Sequence, residues 1–340
     1  MSAKESSVGL TKKDFTSDQI VRWCPGCGDY AILAQVQSLL PELGLAREKY
    51  AFVSGIGCAA RFPYYMNTYG FHTIHGRAPA IATGLKAANP ELSVWVVTGD
   101  GDALSIGGNH LIHAIRRNVD FKLLLFDNRI YGLTKGQYSP TSRVGQKTPS
   151  TPWGSIDNPI EPVSLVLASE ATFVARTVDR DLKHMKETFR RASEHRGTAF
   201  VQILQNCPVF YDGAFQHVTD KEVRDDNVVY LEHGKPLVFG KNRDKGLRLV
   251  GASLEVVELG NGVSESDLLV HDETTDDATI AFALSRLDET KFPVPLGVFR
   301  TVERITFHEL LHAQVAGAKE KIGPGSLEAL LNAGDTWEVN

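Results

Sequence analysis

Four cysteines carry the first chemical signal in this chain. Cys24 and Cys27 flank Pro25-Gly26, Cys58 closes Gly55-Ile56-Gly57-Cys58, and Cys207 stands between Asn206 and Pro208. A Cys-x-x-Cys pair with two single cysteines supplies the number and softness of ligand that a 4Fe–4S cluster needs. A zinc site also takes four thiolates, more often from two Cys-x-x-Cys knuckles, and unconnected thiols packed as small apolar groups are a third reading. Spacing alone leaves all three open.

A second constellation uses oxygen. Gly99-Asp100-Gly101-Asp102 follows the apolar run Val94–Thr98, and Asn128 lies 28 positions after Asp100, at the end of the run Phe121–Phe126. Gly-Asp-Gly alone is a common turn. Two neighbouring parallel strands joined by a helix would set Asp100 and Asn128 side by side at the carboxyl edge of a sheet, where open α/β sheets bind ligands. One carboxylate, one amide oxygen and a backbone carbonyl, completed by phosphate oxygens and water, make the octahedron Mg²⁺ prefers. The glycines admit a diphosphate, and a helix opening near Asp102 favours its charge.

These residues need elements to position them. The 340 residues are 42% hydrophobic and 23% charged, with 30 Gly and 15 Pro, which suits a soluble globular chain of one large or two modest domains. No apolar run approaches the roughly 20 residues of a membrane span. Residues 1–16 are polar and carry no secretory signal, so the expected compartment is the cytoplasm, where thiols stay reduced. A net charge of −5 with no basic stripe argues against nucleic acid. Short β-rich runs alternating with helical patterns predict an α/β fold with a mainly parallel sheet and helices on both faces. Strands are expected at Tyr50–Ser54, His72–His75, Ser93–Thr98, Lys122–Asp127, Thr172–Thr177 and Ala199–Leu204. Helices are expected behind an N-cap at Asp29, then at Ala78–Ala88, Ala103–Arg117, Pro162–Ser169 and Asp181–His195. Lys135–Pro159 reads as a long ordered loop of functional importance. Beyond Cys207 the pattern weakens, with helices expected at Asp277–Leu287, Val302–Ala316 and Ser326–Leu331. His110 and His113 read as helix-face residues.

Gly99-Asp100-Gly101 followed by Asn128 resembles the Mg²⁺-diphosphate signature of thiamine diphosphate (ThDP) enzymes. The wider set is Cys24-Pro-Gly-Cys27-Gly28, Gly55-Ile-Gly-Cys58, His75-Gly76-Arg77, Gly99-Asp-Gly-Asp102, Asn128-Arg-Ile-Tyr131-Gly132-Leu133-Thr134-Lys135 and Asn206-Cys207-Pro208. It resembles the β subunit of 2-oxoacid:ferredoxin oxidoreductases over about residues 15–215. The tail, with Leu231-Glu-His-Gly-Lys-Pro236 and Leu269-Val-His-Asp272, is similar to the 2-oxoglutarate type. The resemblance implies a ThDP and iron–sulfur binding domain over 15–215 and a C-terminal extension over 216–340, a separate domain or a wrap.

By that resemblance Cys24, Cys27, Cys58 and Cys207 would ligate one 4Fe–4S cluster, while Asp100, Asn128 and the carbonyl of Ile130 would hold Mg²⁺. The ThDP pocket would be formed by Ile56, Gly57, Cys58, Ala59, His75, Gly76, Gly99, Gly101, Asp102, Tyr131, Gly132, Leu133 and Thr134. Ala59 departs from the family pattern, which commonly has Ser there. His75, Arg61 and Leu133 would stand nearest the chemistry. Arg61 is a candidate for a substrate carboxylate, with Lys135 and the polar Gln137–Ser142 stretch as further candidates near the pocket mouth, although a surface bridge is as ordinary a role for an arginine.

The implied activity is oxidative decarboxylation of a 2-oxoacid, best 2-oxoglutarate, with coenzyme A, run forward or in reverse, electrons passing through the cluster to ferredoxin. An α subunit would supply the activating glutamate, in an (αβ)₂ assembly, since Glu161 reads simply as the opening of a helix. The alternatives are a pyruvate or broad 2-oxoacid enzyme, a non-redox ThDP decarboxylase, and a zinc-stabilised interaction module. The last two each leave half of the motifs unexplained.

Overall fold

Parallel strands buried on both faces must be apolar along their whole length, and that is how the central strands of this chain read. The computed structural model describes residues 9–251 and 253–339, so the leader expectation over residues 1–16 falls partly outside the described residues. Eight strands form one sheet in the order β2-β1-β3-β4-β6-β5-β11-β7. They are β1 (Tyr50–Ser54), β2 (Tyr69–His72), β3 (Ser93–Gly99), β4 (Lys122–Asp127), β5 (Phe173–Val178), β6 (Ala199–Leu204), β7 (Val228–Leu231) and β11 (Val294–Thr301). β1 to β6 run parallel, β11 runs antiparallel to β5, and β7 lies parallel to β11. A separate antiparallel sheet holds β8 (Val238–Phe239), β9 (Lys245–Val250) and β10 (Ser253–Glu258).

Side chains alternate between two apolar layers. Phe52, Trp95, Leu124, Phe126 and Val201 pack under α1 (Asp29–Leu43) and α6 (Leu182–Glu194), against Ile32, Val36, Leu39, Met185 and Phe189. On the other face Val53, Val96, Leu123, Leu125 and Phe200 meet α2 (Ala78–Ala88), α4 (Gly108–Arg116), α5 (Pro162–Ala168) and α9 (Thr279–Ser285). Each such fully buried side chain contributes about 1.5–3 kcal/mol. The remaining helices are short or terminal: α3 (Asp100–Leu104), α7 (Gln216–Thr219), α8 (Arg224–Asn227), α10 (Phe307–Ile322) and α11 (Leu327–Leu331). No helix among the described residues is long and apolar enough to cross a membrane.

Several expected boundaries move, for identifiable reasons. The single helix over 103–117 is two, α3 and α4, because the chain turns at Gly107, where a Cβ would stand 2.4 Å from the Asp102 carbonyl oxygen. The strand expected at His72–His75 lies earlier, at Tyr69–His72, and the following residues turn back so that Thr73 N–H meets the Ser54 carbonyl at 2.8 Å. Asp29 is the first residue of α1 rather than its cap, and its carboxylate is buried. α10 starts later than expected, at a Thr306/Glu309 capping box. β7 and β11 were not expected. Pro295 and Gly297 make β11 read as loop, yet it lies inside the sheet between β5 and β7. The last third of the chain therefore contributes two strands to the main sheet.

At the amino edge of that sheet, Asp120 pairs with Lys86 at 2.8 Å and Lys122 at 3.1 Å, and both lysines are buried. Burial alone would raise the Asp120 carboxyl, but Lys122 and Lys86 overcome it and hold it at about 2. Its folded value is depressed, so the stabilisation is full above the unfolded value near 3.8 and is lost as pH falls towards 2. Asp120→Ala leaves two buried ammonium groups unpaired and is expected to cost about 3–5 kcal/mol in denaturant unfolding at pH 7. A loss below about 1 kcal/mol would place the knot among weak surface pairs.

Candidate active site

The register of β3 on β4 pairs Gly99 with Phe126, which brings the turn after Gly99 beside the turn after Asp127. Asp100 is buried there. Its Oδ2 accepts from Ser139 at 2.5 Å and from Thr141 at 2.7 Å. Burial first, and Asp127 second, push its carboxyl up to about 7. Thr141 also lies 2.9 Å from Asp127 Oδ1, and one hydroxyl proton cannot serve two carboxylates. A cation at this edge would resolve the conflict. Asn128 Oδ1 accepts from Ile130 N–H at 3.1 Å, and Arg129 between them adopts a left-handed φ of 58°. Ser142 and Gln146 grip the Arg129 carbonyl at 2.7 and 2.9 Å. The long loop is thus ordered by holding the turn that carries Asn128 and Ile130.

Asp102 works inside the protein. Its Oδ1 accepts from Ile56 N–H at 3.1 Å, Gly76 N–H at 2.7 Å and His75 Nδ1 at 2.5 Å, and its Oδ2 from Thr98 at 2.6 Å. Gly55 is required beside it, since a Cβ would stand 1.9 Å from Oδ2. With Nδ1 engaged, Nε2 is the free atom of His75.

A cavity of about 130 Å³ opens over these groups. Of the residues expected around ThDP and Mg²⁺, only Gly76 stands off its wall, and its N–H serves Asp102 instead. Asp29 and Phe126 also line it, and nothing in their motifs signalled that. The Tyr131 hydroxyl donates to the Gly101 carbonyl at 2.9 Å, and a Cβ on Gly101 would collide with the Tyr131 ring at 2.2 Å. The Asp100 carboxylate, the Asn128 amide oxygen and a cavity floored by glycine match the donor set of a Mg²⁺-diphosphate, while the Asp102 carboxylate is already taken by its four donors. The fit is good.

All four cysteines line an adjoining cavity of about 180 Å³. Three segments converge to make it. Trp23 Nε1 donates to the Cys58 carbonyl at 2.8 Å, and Gly28 N–H donates to the Asn206 carbonyl at 3.3 Å. None of the four is in a disulfide. Burial, then Asp29, then the other thiols push Cys58 up to about 12, and burial raises Cys27 further. Thiols this reluctant to ionise become ligands only around a strong positive centre, which deprotonates them outright. Among the described residues, no three His, Cys, Asp or Glu side chains converge where one bare ion could sit. Four thiols spread around a cavity fit a larger, multi-atom group.

The two cavities share a wall of Asp29, Cys58, Asn128, Gly132 and Leu133. Arg61 and Lys135 line the cysteine side only. Glu161 caps α5, pairs with Arg176 and stands off both cavities. His110 and His113 lie on α4, the first half-buried and the second exposed.

Comparison with known proteins decides the family. Residues 55–203 match the family model "Thiamine pyrophosphate enzyme, C-terminal TPP binding domain". The 2-oxoglutarate oxidoreductase subunit KorB of Mycobacterium tuberculosis is 56% identical over 331 residues, 96% of this chain and 88% of that protein. The chain belongs to the β-subunit family of 2-oxoacid:ferredoxin oxidoreductases. A 2-oxoacid:ferredoxin oxidoreductase β subunit of Saccharolobus solfataricus is 46% identical over 59% of this chain and 67% of that protein. A solved 2-oxoglutarate:ferredoxin oxidoreductase of Magnetococcus marinus, with 2-oxoglutarate, coenzyme A and succinyl-CoA bound, superposes with a TM-score of 0.75 at 33% identity. It covers 96% of this chain and 97% of its own. The shared α/β fold of this β subunit extends into the tail, and the 2-oxoglutarate type is the nearer likeness.

The buried Asp100 yields a test. Its folded value is raised, so the apo protein loses stability as pH climbs from about 4 to about 7. Asp100→Asn should remove that slope and raise apo stability above pH 7 by on the order of 2 kcal/mol. The same substitution should abolish Mg²⁺-dependent retention of ThDP in equilibrium dialysis. Unchanged retention would remove Asp100 from the metal site.

Proposed function

We propose that this chain is the β subunit of a 2-oxoglutarate:ferredoxin oxidoreductase. The enzyme converts 2-oxoglutarate and coenzyme A to succinyl-CoA and CO₂, or runs the reverse, and exchanges electrons with ferredoxin in the cytoplasm. The observation that carries this reading is the shared wall: Cys58, Asn128, Gly132 and Leu133 face a diphosphate-type cavity on one side and the four-cysteine cavity on the other. A decarboxylase without redox centres has no use for that adjacency. The substrate and the acyl acceptor rest on likeness to the Mycobacterium tuberculosis relative and to the Magnetococcus marinus enzyme, whose structure holds both.

In this reading Asp100, Asn128 and the Ile130 carbonyl hold Mg²⁺, and Cys24, Cys27, Cys58 and Cys207 hold a 4Fe–4S cluster. When bound, ThDP supplies the nucleophile and electron sink for decarboxylation, and the cluster supplies one-electron transfer. The chain's own residues do the positioning. Asp102 fixes the Ile56 and Gly76 backbone and orients His75, leaving Nε2 to hold or move a proton inside the cavity. Leu133, half-exposed on the shared wall, keeps water from the space between the two groups. Arg61 and Lys135 offer two cations at the mouth of the cysteine cavity, which suits a dicarboxylate.

Among the described residues no glutamate lines the ThDP-type cavity. The carboxylate that activates the cofactor then comes from an α subunit covering the open side, where Ile56 and Leu133 are exposed. An (αβ)₂ assembly follows the family.

Anaerobically purified αβ enzyme is expected to hold about four iron and four acid-labile sulfide per β chain. Cys58→Ser should lose most of both, and ferredoxin reduction with them, while ThDP binding falls less than about tenfold. Zinc in place of iron, or ThDP bound with no metal in the cysteine cavity, would move the chain to the non-redox branch.

A further inference from the structure

Gln205 directly follows β6, two residues before Cys207. Its backbone N–H donates to the Asp127 carbonyl at 2.9 Å, which fixes it in line with the strand that carries Asn128. The residue is 1% exposed, and its side chain turns under the Cys-x-x-Cys loop. Nε2 donates to Cys27 Sγ at 3.3 Å and to the Asn206 carbonyl at 2.5 Å. Oε1 is buried with no partner.

That orphaned oxygen is informative. Turning the amide over would aim Oε1 at a carbonyl oxygen and a sulfur, setting lone pairs against lone pairs. The nitrogen is therefore committed to the sulfur. Packing closes the alternatives, since a Cβ on Gly28 would stand 2.8 Å from Gln205 Cγ and 2.0 Å from Asp179 Oδ2. An apolar side chain would fill the same space without a stranded acceptor, so stability does not account for an amide here. Among the described residues no other side chain donates to any of the four sulfurs.

We propose that Gln205 sets the reduction potential of the cluster by donating a hydrogen bond to Cys27 Sγ. The inference rests on the cluster reading above. Reduction adds negative charge that spreads onto the ligating sulfurs, and an N–H aimed at one of them stabilises the reduced form more than the oxidised. Asp29, beside Cys27 and Cys58, is a buried acid that opposes added negative charge. Gln205 is the dipole on the other side of that balance, a positioning residue that touches the ligand rather than the substrate.

The test is an EPR-monitored redox titration of the αβ holoenzyme, with iron and sulfide assayed on the same samples. Gln205→Leu should keep its iron and move the midpoint potential to more negative values. A tenfold fall in the reduced-to-oxidised ratio at a fixed potential corresponds to about 59 mV. Gln205→Glu, the same size with no N–H donor, should move it at least as far in the same direction. An iron-replete leucine variant with an unchanged or more positive potential overturns the proposal.

Should either variant fail to assemble its cluster, wild-type enzyme isotopically labelled in the glutamine side-chain amide decides. Pulsed EPR of the reduced cluster should show a coupling to that nitrogen, and its absence also overturns the proposal. Wild-type enzyme without iron is a separate outcome. It defeats the cluster reading itself, and with it any acceptor for the Gln205 amide.

Discussion

One carboxylate holds this site together. Asp102 takes hydrogen bonds from Ile56 N–H, His75, Gly76 N–H and Thr98, which lie on the loop after β1, the turn after β2 and the strand β3. The pairing of β1 with β2 and with β3 brings these segments to one edge, and Asp102 ties them together there. A charged acceptor in a buried place binds strongly only if all its donors arrive, and is costly otherwise. The brace is therefore all-or-none. Cys58 follows Ile56 by two positions and Asp100 precedes Asp102 by two, so the same carboxylate sets the Cys58 thiol against the Asp100 carboxylate. The gap between the two cavities is a consequence of its reach.

That coupling explains why glycine recurs at the site. Asp102 stands where any side chain at position 55 would be, and Tyr131 covers position 101. Gly132 serves the sulfur side, where a Cβ would lie 3.6 Å from both the Cys58 and Cys207 sulfurs. A bare backbone strip thus separates a diphosphate-type floor from four thiols. Between them stand only Asp29, Cys58, Asn128, Gly132 and Leu133, a partition one residue thick. Proximity here is a property of the polypeptide.

The strands of the parallel sheet were legible because burial on both faces leaves continuous apolar runs, as in Val94–Val97 and Leu123–Phe126. That Asp100 and Asn128 meet at the carboxyl edge of the sheet followed from strand ends alone. Motif resemblance added the wall residues, and the cavity contains nearly all of them. What escaped was set by contacts distant in sequence. Ser139 and Thr141 on Asp100 sit in the polar Gln137–Ser142 stretch, which reads as a candidate for substrate contact and not as support for Asp100. Asp29 looked like a helix cap, because an acid before an apolar stripe usually is one. It is instead buried between Cys27, just before it, and Asp179, far along the chain. β11 was hidden by Pro295 and Gly297, tolerated because its neighbours β5 and β7 supply the pairing that propensity does not.

The tail shows how far the site depends on residues outside any motif. Glu289, just before β11, pairs with Arg129 at 2.5 Å, Arg143 at 2.6 Å and His217 at 2.7 Å. Burial would raise its carboxyl, but these three partners hold it well below the usual range. Arg129 lies between Asn128 and Ile130 in a left-handed conformation that an arginine does not adopt for free. Its carbonyl is gripped by the long loop, its guanidinium packs over Phe215, and Glu289 anchors its far end. A strained turn persists only when its surroundings over-determine it. Residues from the loop and from the extension both do so here, and the extension is itself fixed by two strands of the main sheet. A shorter chain ending just past Cys207 would keep Asp100 and the cysteines but lose the Glu289 carboxylate that secures this turn. The extension is part of how the edge that carries Asp100 and Asn128 is built.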